Sequence, residues 1–256
     1  MGSPDSAKQL RELRQQNDDL RAQNTSKDEF IALASHQLRT PATAVKQFLG
    51  MLLEGYMGDL APLQVEFVQK AYDSNERQLS IINDLLQVAQ IDSDTIVLRH
   101  EACDIKALIT TIAQEQRRLV KDRQQRIIVR NKTRMPLFVY ADLLRLRMVF
   151  DNLVDNASKY SANNTTVTLT IDATETEAIV HVTDRGVGIA EADMPKLFQK
   201  FSRIPNPRSI MVGGSGIGLY LVKRIIDAHG GTITVDSQLT KGTTFTVYLP
   251  RYYQKV

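Results

Sequence analysis

A single cysteine, Cys103, excludes a disulfide framework and any cysteine-built metal site. No apolar run approaches the roughly 18–20 residues that a membrane helix needs, and no secretory signal opens the chain. The opening MGSPDS reads as an appended leader, so a natural N-terminal portion is expected ahead of it. A cytosolic location is the default for this stretch, with membrane attachment of a longer protein left open. Internal repeats and low-complexity tracts are missing. So are the commonest phosphate-binding signatures: there is no G-x-x-x-x-G-K-[ST], and no G-x-G-x-x-G after a first strand. Histidines number only four.

What remains is ordinary for a globular protein: 43% hydrophobic and 24% charged residues over 256 positions, enough for two domains. The net charge of +3 is unevenly divided, with −4 on residues 1–92 and +7 on residues 93–256. A basic C-terminal half suits a polyanionic ligand, nucleotide or nucleic acid, and charge alone does not separate the two.

Three N-terminal to C-terminal zones follow from patterning: a signalling helix over 1–29, a helical hairpin over 30–93 and a mixed α/β domain over 94–256. Leu10, Leu13, Asn17, Leu20 and Asn24 recur at heptad spacing, with asparagine at two a positions, which predicts a parallel two-stranded coiled coil. From Phe30 the seam thickens. At about 100° per residue, Phe30, Ala34, Leu38, Pro41, Val45, Phe48 and Leu52 form one apolar stripe. His36, Thr40, Thr43 and Gln47 fall on the opposite side, so His36 is expected to face solvent. Pro41 in mid-helix removes one backbone donor and crowds the Gln37 carbonyl, and predicts a bend there. A second amphipathic helix carries Val68, Ala71, Asn75, Leu79, Ile82, Leu86 and Ala89 at heptad spacing. Two helices cannot enclose a core, whereas two hairpins make a four-helix bundle, so a homodimer is expected.

After residue 93 the texture changes. "TIVLRHEACDI" and "RIIVRN" read as strands with a helix between them, and "ADLLRLRMVFDNLVDNASKY" reads as helix. "TTVTLTIDA", "AIVHVTD", "TITVDSQ" and "TTFTVYLP" alternate as strands, and "GIGLYLVKRIIDAHGG" is a helix stopped by paired glycines. The prediction is an α+β sandwich, one mixed sheet with helices on one face.

Three clusters in this half carry chemistry. "NLVDNASKY" sets Asn152, Asn156, Lys159 and Tyr160 on one helical face. The Asn156 carboxamide oxygen suits Mg²⁺ that keeps waters and phosphate oxygens, and Lys159 offers a point charge for phosphate. "DRGVGI" follows a strand; Asp184 can accept a hydrogen bond from an exocyclic amine, while Gly186 and Gly188 allow a flat ring close to the backbone. "GGSGIGL" puts Gly213, Gly214, Gly216 and Gly218 at a helix N-terminus, where free N–H groups favour phosphate.

Together, in this order, the clusters resemble the nucleotide-binding domain of sensor histidine kinases, within the ATPase superfamily shared with gyrase and the mismatch-repair ATPases. "NLVDNASKY", "DRGVGI", "LFQKFSR", "GGSGIGL" and "KGTTF" are similar to its N, G1, F, G2 and last glycine boxes, and "SHQLRTP" to its H box. The likeness spans residues 28 to 250. It implies a Bergerat-type ATP-binding fold behind a dimeric phosphotransfer hairpin, and the cofactors ATP and Mg²⁺. It implies autophosphorylation of His36 and transfer to the aspartate of a separate response-regulator receiver domain, with no nucleic-acid partner and with possible reversal as a phosphatase. By the same resemblance Asn156 holds Mg²⁺, Asp184 binds the adenine amine, the glycines lie under the phosphates, and Arg203 reaches the γ-phosphate. Residues 204–213 correspond to a mobile lid, and the bend at Pro41 couples the coiled coil to His36. Gln37 and Thr40 flank the reacting histidine.

Two departures stand out. Gln37 replaces the usual acidic residue after the histidine; an amide orients the imidazole but takes no proton. Met148 stands where glutamine is common. A water-hydrolysing ATPase and a kinase-deficient dimeric scaffold are the rival readings, the first having no use for "SHQLRTP".

Overall fold

The computed structural model describes residues 4–92, 98–133, 135–205 and 214–253. The chain divides into two units, Met1–Ile96 and Val97–Val256.

The first unit is a hairpin of α1 (Pro4–Leu53) and α2 (Pro62–Asp92). α1 runs without interruption across position 29 and through Pro41. Around that proline, Thr40 Oγ1 donates to the His36 carbonyl at 3.4 Å and Thr43 Oγ1 to the Arg39 carbonyl at 2.8 Å. Such back-bonding adds side-chain donors to a helical turn that is one N–H short, and it favours local bending. The connection turns on Gly55 and Gly58, both at positive φ (80° and 96°), and α2 restarts with proline at its first position. Arg39–Asn83 and Lys46–Glu76, each at 2.7 Å, fix the antiparallel register.

Ser35, Ala42, Asn75, Ile82 and Val88 are buried between the helices. Much of the apolar stripe is not: Leu38, Val45 and Phe48 stay 51%, 45% and 65% exposed. One hairpin leaves uncovered the surface that a second hairpin would cover. Leu10, Leu13, Asn17, Leu20, Asn24 and Phe30 lie within α1, but their side chains, and so the coiled-coil seam, lie outside what the structure describes.

The second unit is a two-layer α/β sandwich. After β1 (Glu101–Asp104) come α3 (Ile105–Asp122), β2 (Arg126–Asn131), β3 (Phe138–Ala141) and α4 (Leu143–Tyr160). β4 (Thr166–Ala173), β5 (Glu177–Thr183), a 3₁₀ turn (Glu191–Lys196), α5 (Gly218–Ala228), β6 (Thr232–Gln238) and β7 (Gly242–Pro250) follow. The main sheet has the order β2-β4-β5-β7-β6; β2 and β4 are parallel and the other neighbours antiparallel. A two-stranded sheet pairs β1 with β3, whose four residues give no alternation long enough to read in the sequence.

Alternation does explain the layers. Val167, Leu169 and Ile171, Ala178, Val180 and Val182, and Phe245, Val247 and Leu249 are the buried hydrophobic residues of their strands. They join Ile109, Ile112, Val149, Phe150, Leu153, Leu221, Val222 and Ile225 in one core. Asp104 and Asp142 cap α3 and α4, accepting backbone N–H groups of the first turn.

Candidate functional site

On the hairpin, His36 is exposed, as are Gln37 and Thr40. Its imidazole projects from a continuous helix whose local backbone is braced by the Thr40 hydroxyl on its own carbonyl.

In the second unit the N-box helix α4 and the Asp184 loop meet directly. Asp184 ends β5, 6% exposed, and its Oδ1 accepts the N–H groups of Gly186 at 2.7 Å and Thr243 at 3.2 Å. With both donors on Oδ1, Oδ2 is the oxygen left for a ligand. Burial is the main influence on this carboxyl and pushes its pKa up to about 6, against the opposing pull of the two N–H groups.

The loop beyond Asp184 is threaded between two walls. On one side the Tyr160 carbonyl accepts the Val187 N–H at 3.2 Å, and Ser161 pairs with Gly186. A Cβ on Gly186 would lie 2.3 Å from that carbonyl oxygen. On the other side Thr240 N–H donates to the Val187 carbonyl at 2.8 Å, and a Cβ on Gly188, at φ 68°, would lie 2.1 Å from the Gln238 carbonyl oxygen. The close approach that demands glycine here is therefore to the protein's own backbone, not to a ring. No side chain fits at either place.

Gly214, Gly216 and Gly218 lead into α5, with Gly214 exposed. A Cβ on Gly218 would lie 2.6 Å from Asn152 Oδ1, so α5 starts in contact with the N-box helix. Gly216 lies against the Phe201–Ser202 backbone, and the side chain of Arg203 passes the same point. Phe201 itself has φ 59°, an unusual conformation for a bulky residue. Gly213 and most of the lid segment, residues 206–213, lie outside the described residues.

The N-box residues differ in availability. Asn152 Nδ2 donates to the Met148 carbonyl at 3.0 Å. The half-buried carboxamide of Asn156 makes no hydrogen bond among the described residues, which fits an oxygen ligand for a hard cation that keeps water and phosphate oxygens. Lys159 is paired with Asp155 at 2.5 Å, one turn earlier, so its charge is already half-compensated. Tyr160 is half-buried and contributes its carbonyl to the loop wall.

Residues 26–94 match the family model of the "His Kinase A (phospho-acceptor) domain". Residues 141–253 match that of the "Histidine kinase-, DNA gyrase B-, and HSP90-like ATPase". The chain is 36% identical over 232 residues to the "Circadian input-output histidine kinase CikA" of Synechococcus elongatus, covering 90% of this chain and 30% of that protein. It is 36% identical over 227 residues to the "Sensor histidine kinase WalK" of Bacillus subtilis, covering 87% and 36%.

The chain belongs to the sensor histidine kinases.

It spans about a third of the length of those curated relatives. Among solved structures, full-length ShkA in complex with AMPPNP matches this histidine kinase chain with a TM-score of 0.71 at 27% identity, over 89% of this chain and 47% of that one. The phospho-acceptor match encloses His36, and the ATPase match encloses Asn152, Asn156, Asp184 and the glycines of both loops. None of the kinase's helices, among the described residues, is long and apolar enough to cross a membrane. One residue escaped the sequence reading altogether. His229, buried at the end of α5, accepts the Asp142 N–H on Nε2 at 3.0 Å and bonds the Ile225 carbonyl through Nδ1 at 2.7 Å. Its ring thus ties the end of α5 to the start of α4.

Proposed function

We propose that this chain is a protein-histidine autokinase. Nε2 of His36 attacks the γ-phosphorus of ATP, the bond to the β-phosphate oxygen breaks, and ADP leaves with that electron pair. A nitrogen–phosphorus bond forms and the imidazolium releases its Nδ1 proton to solvent, Gln37 being able to orient that N–H but not to take its proton. Asp184 receives the adenine amine on Oδ2. The backbone at Gly214, Gly216 and Gly218 faces the phosphates, and Arg203 meets the γ-phosphate. Asn156 would hold Mg²⁺ through its carboxamide oxygen, and the ion when bound would supply charge neutralisation for the transferring group. Lys159, already paired with Asp155, serves phosphate only by exchanging partners.

The phosphoryl group then passes to an aspartate carboxylate of a response-regulator receiver domain. The exposed stripe of Leu38, Val45 and Phe48 supports a homodimer in which two hairpins share one core.

The observation that carries this reading is the solvent-facing His36 on a phospho-acceptor hairpin, in the same chain as an ATPase domain. Incubation with γ-labelled ATP tests it. Label that is acid-labile, alkali-stable and lost in His36→Ala is the expected result. Unlabelled protein that still binds nucleotide would favour the scaffold, and phosphate release without labelling would favour a simple ATPase.

A further inference from the structure

α4 ends at Tyr160, and the carbonyls of a last helical turn have no partner within the helix. Here one of them, that of Ser158, and the carbonyls of Ser161 and Ala162 just past the helix end converge on one side chain from another part of the chain. Gln125, 5% exposed between α3 and β2, donates through Nε2 to the carbonyls of Ser158 at 3.0 Å, Ser161 at 3.2 Å and Ala162 at 3.1 Å. Its Oε1 accepts the Ser158 hydroxyl at 2.6 Å, and that same hydroxyl oxygen accepts from Arg123 at 2.8 Å. Three carbonyls around one nitrogen settle which end of the carboxamide points there, because only the NH₂ group can donate, its two hydrogens being shared among the three.

Gln125 is itself fixed. Its N–H donates to the Val120 carbonyl at the end of α3, and the adjoining Gln124, at φ 56°, accepts the Asn164 N–H at 2.8 Å. The clamp therefore joins the end of α3, the end of α4 and the segment that leads into β4.

The carbonyls it holds bracket the wall of the Asp184 loop. Between Ser158 and Ser161 lies Tyr160, whose carbonyl accepts the Val187 N–H, and Ser161 pairs with Gly186. Gly186 N–H in turn sets Asp184 Oδ1. The spacing at this wall has no slack, since a Cβ on Gly186 would already lie 2.3 Å from the Tyr160 oxygen.

We infer that Gln125 is a positioning residue for nucleotide binding: by clamping the last turn of α4 it sets the Tyr160–Ser161 backbone against Gly186, and through Gly186 it aims the Asp184 carboxylate. The inference rests on the reading of Asp184 as the adenine ligand. Gln125 acts on Asp184 at a distance of three hydrogen-bonded steps, through Ser161 and Gly186.

The test measures binding of methylanthraniloyl-ADP to the full chain by fluorescence, at a temperature well below unfolding. Gln125→Met keeps the bulk and removes every hydrogen bond of the clamp. It should weaken binding by about fivefold or more, the worth of a lost net hydrogen bond passed on to the site. A variant at Ile109, fully buried in α3, chosen as Val or Ala to match the loss in Tm, should bind within about twofold of the parent. If Gln125→Met does not fold, Ser158→Ala removes only the hydroxyl on Oε1; the backbone amide signals of Gly186 and Val187 should then move in the ¹⁵N spectrum. Binding by Gln125→Met within twofold of the parent, equal weakening by the Ile109 variant, or unmoved Gly186 and Val187 signals in Ser158→Ala would each overturn the inference. A parent chain that fails to bind the probe would overturn the nucleotide reading beneath it.

Discussion

Asp184 gives a prediction in which function and stability move oppositely. Its carboxyl is buried with Oδ1 locked by two backbone donors, so a proton taken up by the group must go to Oδ2, the oxygen assigned to the adenine amine in the proposed function. Burial holds its pKa at about 6. The group is then about nine-tenths ionised near pH 7 and about one-tenth ionised near pH 5, so adenine nucleotide affinity should fall about tenfold between them. The terminal phosphate of the nucleotide titrates in the same range, so the diagnostic quantity is the ratio of parent to Asp184→Asn affinity. In that variant the side-chain oxygen still accepts from Gly186 and Thr243, while an NH₂ group meets the adenine amine. Binding near pH 7 should weaken by roughly 1–3 kcal/mol, about five- to 150-fold, and the parent-to-variant ratio should shrink as pH falls. Stability runs the other way. A carboxyl whose folded pKa lies above its unfolded value of 3.8 contributes stability that is complete below 3.8 and is lost as pH rises through about 6. Near neutral pH the neutral Asp184→Asn should therefore match or exceed the parent, by up to ~3 kcal/mol. Calorimetric titration with ADP at a series of pH values, beside thermal melts, checks both limbs. A ratio that does not change with pH would show that Oδ2 is not the titrating atom at the ligand.

Three further outcomes are expected. Phe48→Asp places a charge on the exposed stripe of α1 and should leave the hairpin helical while converting the dimer to monomer at micromolar concentration, read by light scattering; a dimer unchanged by it would place the interface elsewhere. Thr240→Asn relieves a β-branched residue at φ 65° in an exposed turn, and should raise the stability of its unit by about 1 kcal/mol, or about 2–4 °C in Tm, with a lower Tm counting against strain at that turn. Thr40→Ala removes only the hydroxyl that braces the His36 carbonyl, so autophosphorylation should hold within a few-fold while dephosphorylation of the regulator drops by about 10²-fold, and Gln37→Glu should raise autophosphorylation by supplying a proton acceptor; equal losses of both activities in Thr40→Ala, or no gain in Gln37→Glu, would contradict these roles.

The long periodic elements were legible because burial and backbone geometry agree in them. α4 and α5 show helical spacing of Leu146, Val149, Phe150 and Leu153 and of Leu221, Val222 and Ile225, and β4 and β5 show strict alternation, while β7 alternates Phe245, Val247 and Leu249 but also buries Thr243 and Thr246. β3 escaped because four residues carry no period. The glycines were found without their neighbours: the sequence announces that a small residue is needed at 186 and 188, but only the folded chain reveals that an added side chain there would meet the Tyr160 and Gln238 backbone. The Lys159–Asp155 pair was open to inspection as an i,i+4 spacing. Gln125 and His229 had no signal at all, since the contacts by which they join separate elements lie more than thirty positions away and are mostly backbone groups, which no composition or motif records.

The tie that His229 makes has a mechanical consequence for the glycine-rich stretch. α5 is anchored at its far end through the Asp142 N–H and touches Asn152 at its near end, both points on α4. Two attachments along one neighbouring helix remove sliding and rolling from the motions open to α5. The start of α5 at Gly218 is thereby held in register with the Asn152 turn of α4, so a shift of either helix carries the other with it.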